Sequence, residues 1–564
     1  MKKLLMMFCA SVLLASCAAI LDDDKTPVHS GEVETSYIAI NLMATDPDTR
    51  AEGATYQEGL AAERAVNSAY FFFFQNGQPF PVTVTNSAVT APATTGANFL
   101  SATLTPNGQA TPNVSDVNKA VLLLKNYKGE YPNQIIAVLN WIPTAGQSYT
   151  MDDLKAVVDI QNTKDSQKYF VMSNAVFADG AGQAVTATPL TLANIYTTEK
   201  DATDHPVNIY VERIAAKVTV TAPNDKTFDL KRTINASGSE VKAYAKLEHW
   251  ELYNEFQQSY LLKQIKPADW TVDGLGFNWN DQAFYRSYWA DTPNPDWENG
   301  NTFTWTAGCD FALSSNVNEG KYSPNTYVYC GENTTKDEAN RTKVILKAKL
   351  VDAGGAALEL ARWYGAEYLG EDDLLTAVAS TLKNTYYSKT TNGDETTYTS
   401  IAQTDLKSVV GGSEDVPNVS ATEVYFQLSD AGAAKTWCEY SSTNGYVELS
   451  DATVLNAKLK AVPSAVLYKG GQTYYFFDIK HLGAAGKDAE YGIVRNHIYN
   501  INIDSIGGYG SPVYDGNSEI FTPEYPKEPT TEGSYVSAKV NILSWRMVSQ
   551  GVDIQPNPTP TPGN

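Results

Sequence analysis

Alternating apolar and polar positions along the chain predict short β-strands. The earliest run covers residues 37–45, where every second position is apolar. That period of two is typical of a strand with one buried face. The residues on this face are Ile38, Ile40, Leu42 and Ala44.

A polar stretch follows this first strand, at residues 46–53. It contains Pro47 and Gly53 and has a single arginine, Arg50, directly before Ala51. Proline and glycine between two apolar runs indicate a loop, and an exposed loop is a preferred site of proteolysis. We therefore expect a cleavable loop here.

Similar apolar runs recur to the end of the chain. Asn76-Gly77 after the four phenylalanines of the second run predicts a tight hairpin. The run at 536–548 changes face along its length, which predicts a bulge near Ile542. The strand candidates are residues 66–74, 121–124, 135–141, 170–172, 207–220, 242–252, 342–351, 423–428, 466–479, 497–503 and 536–548.

Two segments have helical periodicity. Residues 151–160 follow Thr150, with Asp153 three positions later as in a capping box. Residues 356–382 repeat leucines at helical spacing, interrupted by Gly365 and Gly370. The pattern therefore predicts a mainly β fold of two Ig-like β-sandwich domains with small helical insertions.

The length of 564 residues exceeds the limit of about 250–300 residues for one core, so we expect at least two domains. The boundary falls inside the run 207–220, which is long for one strand. It separates an N-terminal sandwich, 51–213, from a C-terminal one, 214–554. The Pro-rich tail, 555–564, cannot pair as a strand and is expected to be disordered.

Composition excludes some functions. The net charge of −22 would repel nucleic-acid phosphates, so no nucleic-acid partner is expected. Beyond the first twenty residues three cysteines remain, Cys309, Cys330 and Cys438, and no two of them form a CxxC pair. Since no HExxH, GxSxG or Walker motif occurs, we predict no catalytic residue, metal site or cofactor, and no enzyme.

The N-terminus has the pattern of an exported lipoprotein. Lys2 and Lys3 precede an apolar run, which predicts a signal peptide over residues 1–16. Residues 14–17 read Leu-Ala-Ser-Cys, the lipobox pattern, so lipidation is expected at Cys17. No later stretch reaches the ~18 apolar residues of a membrane span, which leaves the lipid as the membrane anchor of the precursor.

Two segments near the C-terminus carry a specific pattern, EYGIVRNHIYNINIDSIGGYGSP at residues 490–512 and AKVNILSWRMVSQ at residues 538–550. They resemble the closing strands of the Bacteroidales major fimbrillins of the Mfa-like group, which build type V pili. The segments VERIAAK at 211–217 and YCGEN at 329–333 are also similar to family patterns. The resemblance implies two transthyretin-like β-sandwich domains.

The resemblance also implies a maturation pathway. A lipoprotein reaches the surface, a trypsin-like protease cuts after an arginine, and subunits polymerise by donor-strand exchange. The cut maps between Arg50 and Ala51; Arg64 is the alternative, although it lies close to the next strand. Residues 17–50 are then a propeptide whose loss removes the first strand.

The chain end supplies the candidate donor strand. Val548, Val552 and Ile554 continue an apolar alternation to the Pro-rich tail. The alternative is that these residues form the last strand of their own domain. We expect that arrangement for residues 540–545.

The predicted function is a structural subunit of a surface fimbria that serves adhesion and biofilm formation. Its partners would be other copies of itself, tip and anchor subunits, the maturation protease, and host or bacterial surface ligands. The precursor would sit at the outer membrane and the product in the extracellular fimbrium.

Two alternatives stay open. One is a tip adhesin or anchor of the same fimbria. The other is a glycan-binding surface lipoprotein in which tryptophans stack on sugars. The candidate tryptophans are Trp270, Trp279, Trp289, Trp297 and Trp305.

Overall fold

Most of the regular secondary structure consists of short β-strands. The structure is a computed structural model that describes residues 33–43, 57, 59–82, 96–106, 117–127, 131–178, 184–236, 239–265, 290–293, 308–411, 423–481, 490–513, 535–543 and 547–550. The fold is mainly β, as the sequence predicts. Within these ranges, no helix has the length and apolar character needed to cross a membrane.

The first part of the chain contains fifteen described strands and two short described α-helices. The strands are β1 Val33–Met43, β2 Ala69–Gln75, β3 Gln78–Pro79, β4 Phe99–Ser101, β5 Thr105–Pro106, β6 Val117–Tyr127, β7 Gln134–Leu139, β8 Val157–Asp159, β9 Gln161–Lys164, β10 Gln167–Phe170, β11 Met172–Asn174, β12 Phe177–Ala178, β13 Ala184–Val185, β14 Thr188–Pro189 and β15 Val207–Arg213. The helices are α1 Ala61–Arg64 and α2 Glu199–Asp204.

The remaining described elements follow in the second part. The strands are β16 Ala216–Thr221, β17 Thr227–Ala236, β18 Ser239–Tyr253, β19 Gln258–Tyr260, β20 Tyr327–Cys330, β21 Lys343–Val351, β22 Leu360–Trp363, β23 Ala366–Leu369, β24 Tyr386–Asn392, β25 Glu395–Ser400, β26 Leu406–Val410, β27 Val424–Leu428, β28 Thr436–Ser441, β29 Gly445–Glu448, β30 Val466–Tyr468, β31 Gln472–Asp478, β32 Ile498–Gly507, β33 Ser511–Pro512, β34 Tyr535–Leu543 and β35 Met547–Gln550. The helices are α3 Ser314–Asn318, α4 Gly370–Leu382, α5 Asp430–Ala433 and α6 Ala452–Leu459.

The first core forms around a long sheet in which the strands run in the order β3-β2-β7-β11-β15-β1-β6-β5. The four consecutive phenylalanines of β2 are all fully buried, so both faces of this strand are covered. Phe72 packs against the rings of Phe99 and Tyr149, with centroids 5.3 and 5.5 Å away. Such aromatic pairs add to the stability that burial alone provides.

The predicted hairpin between β2 and β3 is confirmed. Asn76 and Gly77 have φ angles of 51° and 78°, and Gln75 pairs with Gln78 across the turn. A two-residue turn with positive φ at both positions matches the twist of the flanking strands, which is why asparagine followed by glycine is favoured there.

The run 207–220, which is long for one strand, forms two strands, β15 and β16. β15 lies in the sheet of the first core and β16 in a sheet of the second. Between them, the Ile214 amide donates to the Val171 carbonyl at 3.0 Å, and the Ala215 carbonyl accepts from the Asn496 amide at 2.7 Å. The connection is therefore hydrogen-bonded to both cores.

The second core lies between two five-stranded sheets. Their orders are β20-β16-β32-β34-β35 and β17-β18-β21-β31-β33. Trp250, Leu346 and Tyr499 are fully buried in this core. Two sheets that share one apolar interior form a β-sandwich, the architecture that the sequence predicts here.

A third core forms in the chain between β22 and β30. It is built from α4, α6, the sheet β25-β24-β28-β29 and the pair β26-β27. Leu374 and Val378 of α4 are buried there together with Trp437 of β28. The sequence predicts a helical insertion in this region. The helix is present, but the insertion also has strands and an apolar core of its own.

Two predicted helices are wholly or partly wrong. Residues 356–369 form β22 and β23 instead of the first half of a helix, because β22 pairs with both β23 and β30. At residues 151–160, Thr150 and Asp153 do form the reciprocal capping bonds, at 3.1 and 2.7 Å. However, a single 3-10 turn follows, and the next residues pair as β8 with β19.

The bulge predicted near Ile542 is also wrong. In the ladder between β32 and β34 the register shifts between Ile503 and Ser505, on the opposite strand. β35 pairs back onto β34 in antiparallel register, with Val548 opposite Ile542. The change of face in this segment therefore accompanies a reversal of the chain.

Candidate functional site

The first strand lies inside the sheet of the first core. β1 pairs antiparallel with β6 from Val33 to Met43. It pairs parallel with β15 from Ile40 to Met43. β1 therefore has a hydrogen-bonded neighbour on each side, although it comes from the N-terminal end of the chain.

The predicted apolar face of β1 is buried where its side chains are described. Ile38 and Ile40 are 0% exposed and belong to the first core. Leu122 and Ala120 of β6 stand opposite them, and Val207 of β15 pairs with Ile40. Full burial of an isoleucine side chain contributes about 1.5–3 kcal/mol, so these two residues stabilise the sheet substantially.

The other two residues of the predicted face are described less fully. Leu42 lies in β1, paired with Asn118 of β6 and Ile209 of β15. Ala44 lies outside the described residues.

The opposite face of β1 is covered as well. Ala39 is 2% exposed, and helix α2 contacts both β1 and β6. Thr198 begins this helix by accepting a hydrogen bond from the Asp201 amide at its hydroxyl. β1 is therefore held between two backbones along its edges and between two layers across its faces.

The candidate donor segment lies at the other end of the chain. Val548 is in β35, which forms the outer edge of its sheet beside β34. In this arrangement the backbone of residues 547–550 extends the sheet of its own sandwich. Val552 and Ile554 lie outside the described residues.

The processing residues predicted from the sequence also lie outside the described residues. These are the lipidation site and the two residues at the cleavage position, Cys17, Arg50 and Ala51. The same holds for the five tryptophans of the glycan-binding alternative. Arg64, the alternative cleavage position, is the last residue of α1 and is partly buried.

A buried ion pair near α1 was not predicted from the sequence. Glu63 of α1 lies 2.8 Å from the ammonium of Lys217 in β16, and their side chains are 1% and 0% exposed. Burial lowers the pKa of Lys217, while the Glu63 carboxylate acts in the opposite direction. The signal in the sequence was Lys217 itself, a charged residue inside an apolar strand, which requires a buried partner.

A second buried network joins the fimbrillin-like C-terminal block to the rest of the chain. Arg495 and Glu332 are both 0% exposed and lie 2.7 Å apart. Arg495 also donates to the carbonyls of Tyr260 and Leu261. Nearby, Lys263 pairs with Glu212 at 3.1 Å.

In the part of the chain that the structure describes, His481 forms a buried hydrogen bond and the cysteines form no disulfide. The Nδ1 atom of His481 and the Tyr499 hydroxyl share a hydrogen bond of 2.9 Å. Burial lowers the pKa of His481 to about 3. Among the described residues, Cys309, Cys330 and Cys438 are free thiols. The described residues contain no cluster of three or more His, Cys, Asp or Glu that could hold a metal ion.

Comparison with known protein families gives a match at the C-terminus. Residues 466–551 match the family described as major fimbrial subunit protein type IV, fimbrillin, C-terminal. This segment includes β31 to β35 and the two stretches that resemble fimbrillins in sequence, residues 490–512 and 538–550. The predicted resemblance is confirmed there. Curated protein sequences give no match.

Several solved structures are similar over most of their length. A fimbrilin from Porphyromonas gingivalis is 11% identical, with 89% of this chain and 96% of that chain covered and a TM-score of 0.31. The tip fimbrial protein Mfa3 from the same organism is 12% identical, with 90% and 99% covered and a TM-score of 0.24. A provisionally assigned cell adhesion protein from Parabacteroides distasonis is 13% identical, with 92% and 98% covered and a TM-score of 0.34. With TM-scores below 0.5, these similarities support no argument about this chain.

The C-terminal match therefore indicates a class of protein for this segment. Residues 466–551 are similar to the C-terminal region of major fimbrial subunit proteins.

Proposed function

We propose that the chain is the precursor of a structural subunit of a surface fimbria, and that it polymerises by donor-strand exchange. The observation that carries the proposal is the position of β1. It is an interior strand of the first sheet, and it ends at Met43, seven residues before Arg50. One cut after Arg50 would separate the whole strand from the folded chain.

The cut changes how strongly β1 is held. In the precursor β1 is covalently tethered, so its local concentration beside β6 and β15 is high. After the cut it is a separate peptide that is lost by dilution once it dissociates. The edges of β6 and β15 would then present unpaired backbone beside an apolar floor that includes Leu122 and Ile209, a template for another strand.

The incoming strand would come from the C-terminus of another copy. Val548, Val552 and Ile554 supply an apolar alternation like that of Ile38 and Ile40. Among the described strands, β35 is an edge strand with one neighbour, β34. An edge strand can leave its sheet by breaking the hydrogen bonds to a single neighbouring strand. We therefore place the donor strand here and propose that it detaches from β34 before the exchange.

The rest of the organisation follows as part of the same proposal. The precursor is exported with signal peptide 1–16, lipidated at Cys17 and held at the outer membrane by that lipid. A trypsin-like protease removes propeptide 17–50, leaving an N-terminal domain, 51–213, and a C-terminal domain, 214–554. Tip and anchor subunits complete the fimbria, which binds surface ligands.

Limited trypsin treatment of a purified precursor that lacks the lipid tests this proposal. We expect the large fragment to begin at Ala51 and to form ladders that resist SDS. The matched control is Arg50→Ala, which should retain β1 and stay monomeric. A second variant that ends at Met547 should be cut normally but form no ladders, because it lacks the donor residues.

Two results would contradict the proposal. A fragment that begins at Ala51, has lost the β1 peptide and remains monomeric would exclude polymerisation through this groove. Ladders formed by the variant ending at Met547 would show that the donor strand lies elsewhere.

A further inference from the structure

The segment downstream of the proposed cut is attached to the C-terminal sandwich. The Gln57 side-chain amide donates to the Val317 carbonyl at 2.7 Å. Its carbonyl oxygen accepts from the Tyr322 hydroxyl at 2.6 Å. Gln57 is seven residues after Arg50, whereas Val317 lies in α3 and Tyr322 follows that helix. These bonds span more than 250 positions of the sequence.

A second attachment comes six residues later, at Glu63. One carboxylate oxygen caps α1 by accepting from the Leu60 amide at 2.9 Å. The other lies 2.8 Å from the Lys217 ammonium and also accepts from the Tyr329 hydroxyl. Lys217 and Tyr329 lie on the neighbouring strands β16 and β20 and pair directly. We call Gln57, Glu63, Lys217, Tyr322 and Tyr329 the N-terminal clamp.

Aromatic rings enclose the ammonium of Lys217. Its Nζ atom lies 3.4 Å from the ring centroid of Tyr322, 4.3 Å from that of Tyr327 and 5.6 Å from that of Tyr329. The faces of aromatic rings attract a cation, and the attraction is stronger where water is excluded. Glu63 is nevertheless the carboxylate that neutralises this charge at hydrogen-bonding distance. Removal of Glu63 would leave a buried cation without its counter-charge, a strongly destabilising change.

We propose that the N-terminal clamp sets the downstream limit of maturation. This inference rests on the proposed cut after Arg50. The clamp keeps Gln57 and α1 on the C-terminal sandwich when the propeptide leaves, and it protects Arg64 from the same protease. Arg64 follows Glu63 directly, so a protease that draws the chain around Arg64 into its cleft must unwind α1 and pull Glu63 from Lys217.

The clamp also explains why the position of the cut matters. A cut after Arg50 leaves Glu63 in the mature chain, and the buried ion pair stays complete. A cut after Arg64 would remove Gln57 and Glu63 together, leaving Lys217 buried among its three tyrosines. The two arginines lie fourteen residues apart, and the cut after Arg50 gives the product without a buried unpaired charge.

The test is a trypsin time course of the precursor, with the N-terminal end of the large fragment determined by mass spectrometry. For the unaltered chain we expect ends at Ala51 early in the time course and ends at Ala65 only at a slow background rate. Glu63→Gln keeps the shape but removes the charge, and ends at Ala65 should appear about tenfold faster or more, because cleavage follows the population of locally opened chain. Tyr329→Phe removes one hydrogen bond to Glu63 and should give a smaller increase.

The matched control is Glu212→Gln. Glu212 forms a comparable buried pair with Lys263, 3.1 Å apart and with side chains 3% and 0% exposed, but it is not part of the clamp. This variant separates local release of α1 from general loss of stability. It should give ends at Ala65 no faster than the unaltered chain does.

The outcomes distinguish the clamp from the fimbrial proposal. If neither Glu63→Gln nor Tyr329→Phe speeds the appearance of ends at Ala65, or if Glu212→Gln speeds it equally, the clamp does not protect Arg64. That result would leave ladder formation after the Arg50 cut unaffected. Conversely, absence of ladders would count against the fimbrial subunit but not against protection of Arg64.

Discussion

Replacement of Ile40 by alanine measures how strongly β1 is held. Ile40 is completely buried, and its neighbours across the sheet are Ala120 on β6 and Val207 on β15. Since Ala120 cannot extend into the space that the isoleucine leaves, most of the cavity should remain. A buried Ile→Ala change costs about 2–5 kcal/mol, and we expect about 3 kcal/mol here.

Native-state hydrogen exchange of the uncut precursor provides the assay. A loss of about 3 kcal/mol should raise the exchange rates of β6 and β15 amides that open with β1 by about a hundredfold. Amides of the third core, such as those of α4, should keep their protection. After the Arg50 cut, the same variant should form ladders faster, because its β1 peptide dissociates more readily.

Ile142→Ala is the matched control, since Ile142 is 59% exposed. The same chemical change at an exposed position should alter stability by about 0.5 kcal/mol or less. If the β6 amides of Ile40→Ala exchange within about twofold of the unaltered chain, which corresponds to about 0.4 kcal/mol, β1 does not stabilise the first core and the argument for the groove fails.

Two further predictions concern the C-terminal block. Glu332→Gln leaves the Arg495 guanidinium buried without its carboxylate and should cost about 3–5 kcal/mol in thermal unfolding; Lys321→Ala, which breaks an exposed pair with Glu319, is the control and should change little. The pKa of His481 is lowered to about 3 by burial, so its contribution to stability is complete above its unfolded pKa near 6.5 and falls as pH drops toward 3, by about 1.4 kcal/mol per unit. His481→Asn should flatten this part of the pH profile of Tm. An unchanged slope would show that protonation of His481 does not cause the loss of stability.

The strand pattern was predictable where a single physical signal decided the structure. Asn76-Gly77 forms the expected turn because few residue pairs accept positive φ at both positions. Ile38 and Ile40 are buried as their period of two indicates, because one face of β1 packs on the first core. The fimbrillin-like block was recognisable because its motif is continuous in sequence.

Other features depend on contacts between distant residues, which local patterns do not contain. The capping pair Thr150 and Asp153 is present, but pairing of β8 with β19 ends the helix after one turn. The third core joins α4 to strands that follow much later in the chain. The partner of Lys217 lies 154 positions away. A buried lysine predicts that a carboxylate is near but not which of many acidic residues supplies it.

The connection between β15 and β16 bears on how a filament of such subunits would respond to force. Ile214 and Ala215 do not form a free linker, since both are buried and their backbones are hydrogen-bonded to Val171 on one side and Asn496 on the other. A pull on the first core would reach the second through this pair and load the parallel ladder of β16 and β32 in shear. Ladders loaded in shear must break many hydrogen bonds together, so a subunit joined in this way would resist stretching better than one whose domains are joined by a free linker.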